Sequence, residues 1–165
     1  MRPSGIVHHP VHDPEALILT LERQPVLLIP LIREVPPERL KRRPHPDKWS
    51  AHEHACHLAT EHWLFSERLD RMLAQDDPVI KAHDADDEEP DKLIHMDLDA
   101  ALLQFARERG RLVERLRGLT PAQWKRTGRH TQYEPYDVFI MFRHLALHGM
   151  LHAYRIEELA LKREW

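Results

Sequence analysis

Apolar residues recur along this chain at intervals of three, four and seven, the spacing that lines one face of an α-helix. Leu17, Leu21, Leu28, Leu31 and Val35 share one side of a predicted first helix, from about Asp13 to Val35. Pro25 and Pro30 fall inside it. Each removes a backbone donor and crowds the preceding turn, so a kinked helix or two shorter pieces is expected. Pro36-Pro37 ends the helix, and Pro44-His45-Pro46 marks a rigid connection. The second helix starts sharply at Ser50-Ala51-His52-Glu53, a capping box in which serine and glutamate each satisfy a free helix-end N–H. Leu58, Phe65, Leu69 and Met72 carry its period to about Ala74. Residues 76–91 are acidic and broken by proline, and read as a long surface loop. A third helix, about Leu98 to Leu116, carries Leu98, Leu102, Phe105, Leu112 and Leu116 and is stopped by Gly118. Thr120-Pro121-Ala122-Gln123-Trp124 reads as one capped turn, and residues 125–136 as irregular. The fourth helix opens near Asp137 and runs to about Lys162. Four amphipathic helices without a strand pattern predict an all-α four-helix bundle with no sheet.

Composition narrows the classes of function. The 165 residues suit a single domain, 1–165 with its core at about 13–162, and suffice for a real core. Charged residues make up 31% with both signs interspersed, and the formal net charge of −3 gives no basic stripe for nucleic acid. Arg39-Leu40-Lys41-Arg42-Arg43, beside prolines, reads as a solvated turn. No apolar run approaches the roughly 18 residues that span a membrane. Met1-Arg2-Pro3-Ser4-Gly5 is not followed by a signal-peptide core. The single cysteine, Cys56, cannot form an intrachain disulfide, which fits a reducing cytoplasm.

The 14 histidines change the picture most. His52, His54, His57 and His62 crowd one window, and His144, His148 and His152 follow one another at intervals of four. On a wheel of about 100° per residue, the fourth helix has an apolar stripe through Met141, Leu145, Ile156 and Leu159. His148 and His152 fall in its middle and His144 at its edge. A buried polar group without partners costs roughly 1–3 kcal/mol. A stacked, inward pair of imidazoles therefore reads as metal ligation rather than packing. On the second helix His54 and Glu61 lie within the stripe and His57 on one edge, so the wheel offers His54 or His57 as the third ligand. Glu61 is a fourth ligand, an orienting carboxylate, a base, or half of an ion pair. Glu53 is accounted for by the capping box. His52 reads as solvent-facing, His62 as a rim residue, and Cys56 as a small packing residue. His52-Glu53-His54-Ala55-Cys56 lacks the second histidine of a zinc-protease helix. No paired Glu-x-x-His motifs suggest a di-iron bundle.

These residues together resemble the DinB/YfiT-like superfamily. The resemblance is carried by a helix ending in Pro36-Pro37, then Lys48-Trp49-Ser50-Ala51-His52-Glu53, then His57-Leu58 with Glu61. His148-Gly149-Met150-Leu151-His152-Ala153-Tyr154-Arg155-Ile156 completes it in the last helix. Arg155 departs from the pattern, standing where that family often has glutamine or histidine. The resemblance implies a bundle of up-down-down-up topology, with one divalent metal held by His57, His148 and His152. It thereby selects His57 over His54.

Three imidazoles leave an open position, the mark of a catalytic metal site. Zinc or nickel is the expected ion. A thiol held there would lose its proton, and a water would have its pKa lowered to about 7. Glu61 or His144 could then move protons. Some members of the family are transferases that use low-molecular-weight thiols, and others look like metal-dependent hydrolases. The resemblance favours a thiol-dependent S-transferase acting on a small electrophile. The alternatives are a hydrolase that uses metal-bound water and a non-catalytic metal-binding bundle. The expected partners are a small-molecule substrate and a second copy of the chain. The homodimer is implied by the family's habit of pairing, with Trp63 off the inward stripe.

Overall fold

A computed structural model describes residues 12–83 and 91–164. Its elements are α1 (Pro14–Glu34), α2 (Pro37–Leu40), α3 (Ala51–Thr60), α4 (His62–Ala74), β1 (Val79–Ile80), α5 (Lys92–His95), α6 (Leu98–Arg117), α7 (Pro121–Trp124), β2 (Arg129–His130) and α8 (Val138–Leu161). Two buried layers show how the long helices run. In one, Leu17 and Leu21 meet Leu69, Met72, Leu112, Leu116, Phe142 and Leu145. In the other, Leu28 and Ile32 meet Ala51, Ala55, Leu102, Phe105, Ile156 and Leu159. Helices α1 and α8 therefore pass from the first layer to the second, whereas α3–α4 and α6 pass back. The four-helix bundle is up-down-down-up.

Local chemistry sets the helix ends. Asp13, Asp97 and Asp137 accept from the backbone N–H of Ala16, Ala100 and Ile140. The box at Ser50 forms as expected, with Ser50 N donating to Glu53 Oε2 at 2.9 Å. A second box closes on Thr120 and Gln123. Helix α1 is one helix through Pro25 and Pro30, not two pieces. Pro30 faces solvent, where water can satisfy the freed carbonyl. The expected second helix is interrupted at Glu61. The Thr60 hydroxyl donates to the His57 carbonyl at 2.8 Å, competing with the helical bond there. Gly118 ends α6 in a right-handed conformation, φ −80°.

Three sequence readings need correction. The expected absence of any sheet fails at one place, where β1 and β2 pair in parallel, Val79 with Arg129 and Ile80 with His130. Ile80 is fully buried, and the approach is close enough that a Cβ on Gly128 would lie 3.1 Å from it. This pairing lifts part of the predicted loop and part of 125–136 into the core. The acidic stretch 84–90 of that loop lies outside the described residues. Second, the Arg39–Arg43 cluster is tied down. Arg39 donates to the carbonyls of Ala160 and Lys162 at the end of α8, and Arg43 grips Glu53 through Nε and Nη2. Third, His52 is 2% exposed, because α5 and the turn after it cover that face. Cys56 beside it is buried, and burial pushes its thiol up to about 11, so it packs as expected. Among the described residues no helix is long and apolar enough to cross a membrane.

Candidate metal centre

His57 leaves the last turn of α3, and His148 and His152 stand one turn apart on α8. Each offers one ring nitrogen, and the three atoms lie within 4.8 Å of one another. His148 Nε2 and His152 Nε2 are 2.9 Å apart. Two ligands of one tetrahedral ion at zinc bond lengths would stand about 3.3 Å apart, so the imidazoles are already gathered nearly as an ion would hold them. His54 is outside this set. Its Nδ1 meets His152 Nδ1 at 2.8 Å, one nitrogen donating to the other. That contact orients the His152 ring from behind, as outer hydrogen bonds do for metal-binding histidines. The Trp49 ring covers the group from one side, its centroid 4.7 Å from that of His57 and 6.0 Å from that of His152.

Glu61 occupies the interruption between α3 and α4, which turns its carboxylate between the two helices that carry the histidines. Its Oε1 lies 2.9 Å from His57 Nε2 and its Oε2 2.9 Å from His148 Nδ1. Burial pushes this carboxyl up, but the contacts with His148 and His57 outweigh it and hold the group below the usual carboxylate range. Burial, then the neighbouring His148 and His57, pushes His152 far below an ordinary imidazole. Burial and His57 bring His54 down to about 4. Neutral imidazole is the form that binds metal. An electron-rich set of this kind, with a carboxylate beside it, fits a divalent cation.

The group opens on a cavity of about 320 Å³ whose wall includes Phe65, Arg68, His130, Tyr133 and Tyr136. His144 stands at the cavity's edge, with its ring 5.0 Å from that of Tyr133 and outside the three-nitrogen set. His62 is not a rim residue. It is 4% exposed, and its Nε2 accepts from Arg109 Nε at 3.0 Å. Sequence reading missed Arg68, Arg109 and Gln24, yet a signal was present. Each sits where the helical period calls for an apolar residue: Arg68 between Phe65 and Met72, Arg109 between Phe105 and Leu112, Gln24 between Leu21 and Leu28.

The sequence profile of the DinB superfamily matches residues 20–156. The chain belongs to the DinB superfamily. This DinB-superfamily chain is also similar to a solved structure of YfiT from Bacillus subtilis, described as a probable metal-dependent hydrolase with an unusual four-helix bundle topology. The two share 23% identity and superpose with a TM-score of 0.79, over 96% of this chain and 91% of that one. The likeness establishes the shared bundle fold. A comparison with curated proteins found no match.

Proposed function

We propose that this protein is a divalent-metal-dependent enzyme acting on a small molecule, with His57, His148 and His152 as ligands and hydrolysis as its reaction. The reading is carried by three ring nitrogens within 4.8 Å of one another beside a carboxylate, at the floor of an open cavity. The description of YfiT as a probable metal-dependent hydrolase supports it. Zinc or nickel suits a ligand set made of imidazoles. When bound, the ion supplies a Lewis acid that polarises the substrate and lowers the pKa of the nucleophile. Glu61 takes the proton from an attacking water and returns it to the leaving group, so that water adds across the cleaved bond. His54 holds His152 in orientation, and Trp49 excludes solvent behind the ligands. His144 is placed to donate a hydrogen bond from the cavity edge.

Thiol transfer is the second reading. A neighbouring cavity of about 480 Å³ shares Tyr133, Tyr136, His144 and His148 with the first, which leaves room for a second substrate. In that reaction Glu61 takes the thiol proton, a carbon–sulfur bond forms, and the electrophile's leaving group departs. The test is to incubate the purified, metal-loaded protein with esters and amides, and separately with thiols plus electrophiles. Hydrolysis products without added thiol support the first reading, and a new thioether supports the second. Glu61→Gln should retain the metal and lose at least about 100-fold in turnover. Metal loss in that variant, measured by elemental analysis, would make Glu61 a ligand instead.

A further inference from the structure

Arg68 lies on the apolar stripe of α4 and is 6% exposed, yet it lines the cavity in front of the histidines. Its Nη2 donates to the Lys81 carbonyl at 2.7 Å, and the Phe65 ring lies 5.7 Å from its guanidinium carbon. Among the described residues lining this cavity Glu61 is the one carboxylate, and both its oxygens face histidines. A guanidinium withdrawn from water without a carboxylate is costly, and its planar fork matches an oxyanion. The same cavity lining supplies a second donor. Pairing of β1 with β2 fixes His130 at the cavity, and the backbone N–H of Gln132 donates to His130 Nδ1 at 3.1 Å. That bond leaves Nε2 to carry the ring proton, so neutral His130 offers an N–H. Tyr136, 5% exposed, adds a hydroxyl beside Arg68.

We infer that this cavity binds a small organic anion, its carboxylate or phosphate group held by Arg68 and His130. The remainder of the molecule then extends toward His57, His148 and His152. Only that last placement rests on the metal-site reading, and the anion contact stands without it. The volume of about 320 Å³ sits at the lower end of small-molecule pockets. Charge-assisted, bidentate recognition gives orientation as well as affinity.

The test titrates the full-length protein with benzoate and, separately, with inorganic phosphate, following the Arg68 side-chain N–H and His130 ring signals by NMR. Either probe should shift both signals and saturate, and whichever does so names the anion class. Arg68→Gln should weaken binding about tenfold or more, with Arg68→Lys in between. The unmutated protein stripped of metal with a chelator should bind the probe as the metal-loaded protein does. That result separates the anion site from the metal reading. If neither probe moves the Arg68 signal, the inference is overturned. It is also overturned if binding persists in folded Arg68→Gln or vanishes when the unmutated protein is stripped of metal. Should Arg68→Gln fail to fold, the Arg68 signal of the unmutated protein decides the question.

Discussion

His57 and His62 lie five residues apart on either side of Glu61, and both are more than nine-tenths buried, yet they serve different clusters. His57 meets His148, His152 and Glu61. His62 meets Arg109, whose Nη1 also donates to Gln24 Oε1, while Gln24 Nε2 donates to the Ala146 carbonyl at 2.7 Å. The Phe105 ring lies 5.0 Å from the guanidinium carbon. In this second cluster each acceptor named has a donor, and the charge is supplied by the protein itself. The first cluster gathers ring nitrogens and a carboxylate at the floor of a cavity, the arrangement proposed above to hold a cation. What distinguishes these two histidines is the group each one faces, not its burial.

The largest expected effect falls on the open cluster. His148→Ala should lower bound metal from about one equivalent to near zero, with the fold intact by circular dichroism. A truncated core side chain can cost roughly 1–3 kcal/mol by itself, so folding must be verified before metal is counted. Full metal content in a folded His148→Ala protein would remove the basis for treating the two clusters differently.

The closed cluster should respond in stability rather than in metal. Arg109→Met leaves His62 Nε2 and the Gln24 amide oxygen without their donor, in a site where Arg109 is 1% exposed. Leaving two buried neutral acceptors without a donor costs about 1–3 kcal/mol for each, which a urea titration would detect. Metal stoichiometry of the remaining folded protein should be unchanged. A variant that loses metal without losing stability would merge the two clusters into one site.

The fold was largely legible in the sequence because it rests on periodicity, and the period of Leu17 to Val35 or Leu98 to Leu116 survives any detail of packing. His148 and His152 were legible for the same reason, since four residues on one helix fix their stacking. The choice between His54 and His57 was not, because it depends on how far α3 is rotated toward α8, which no single helix encodes. His62 was misread because its partner, Arg109, comes from α6, 47 residues away. The β1–β2 pair was invisible because two residues per strand make no pattern. It forms through Ile80 burial and the glycine at 128.

Acid should separate the clusters next. Burial, then the Arg109 charge, lowers His62 to about 3 from an ordinary value of 6.5. The folded state thus takes up this proton less readily than the unfolded chain. The stability from neutral His62 is fully present above about pH 6.5 and falls as the pH drops toward 3. With roughly 1.36 kcal/mol per unit, the loss attributable to His62 by pH 5 is about 2 kcal/mol. His62→Gln, whose amide oxygen can still accept from Arg109, should flatten that part of the profile measured by urea unfolding with chelator present. An unchanged slope would mean that His62 is not held neutral by its cluster.

The smallest effect expected is at Gly149, which joins the two clusters because it follows His148 and packs on Gln24. A Cβ there would meet the Gln24 amide nitrogen and oxygen at 2.7 and 2.8 Å. Alanine in place of glycine within a helix ordinarily stabilises by about 1 kcal/mol. Overpacking a buried site costs about 1–3 kcal/mol, and Gln24 has little freedom to yield, being 6% exposed and bonded to both Ala146 and Arg109. Gly149→Ala should therefore lower stability by about 1 kcal/mol net, with metal binding retained because His148 and His152 keep their places on α8. Gly149→Ala combined with Gln24→Ala removes the obstructing amide. In that background the alanine at 149 should return to its usual stabilising sign in a double-mutant cycle. A stabilising Gly149→Ala in the otherwise unmutated protein would show that Gln24 is free to move, and with it that the Arg109 cluster is not closed.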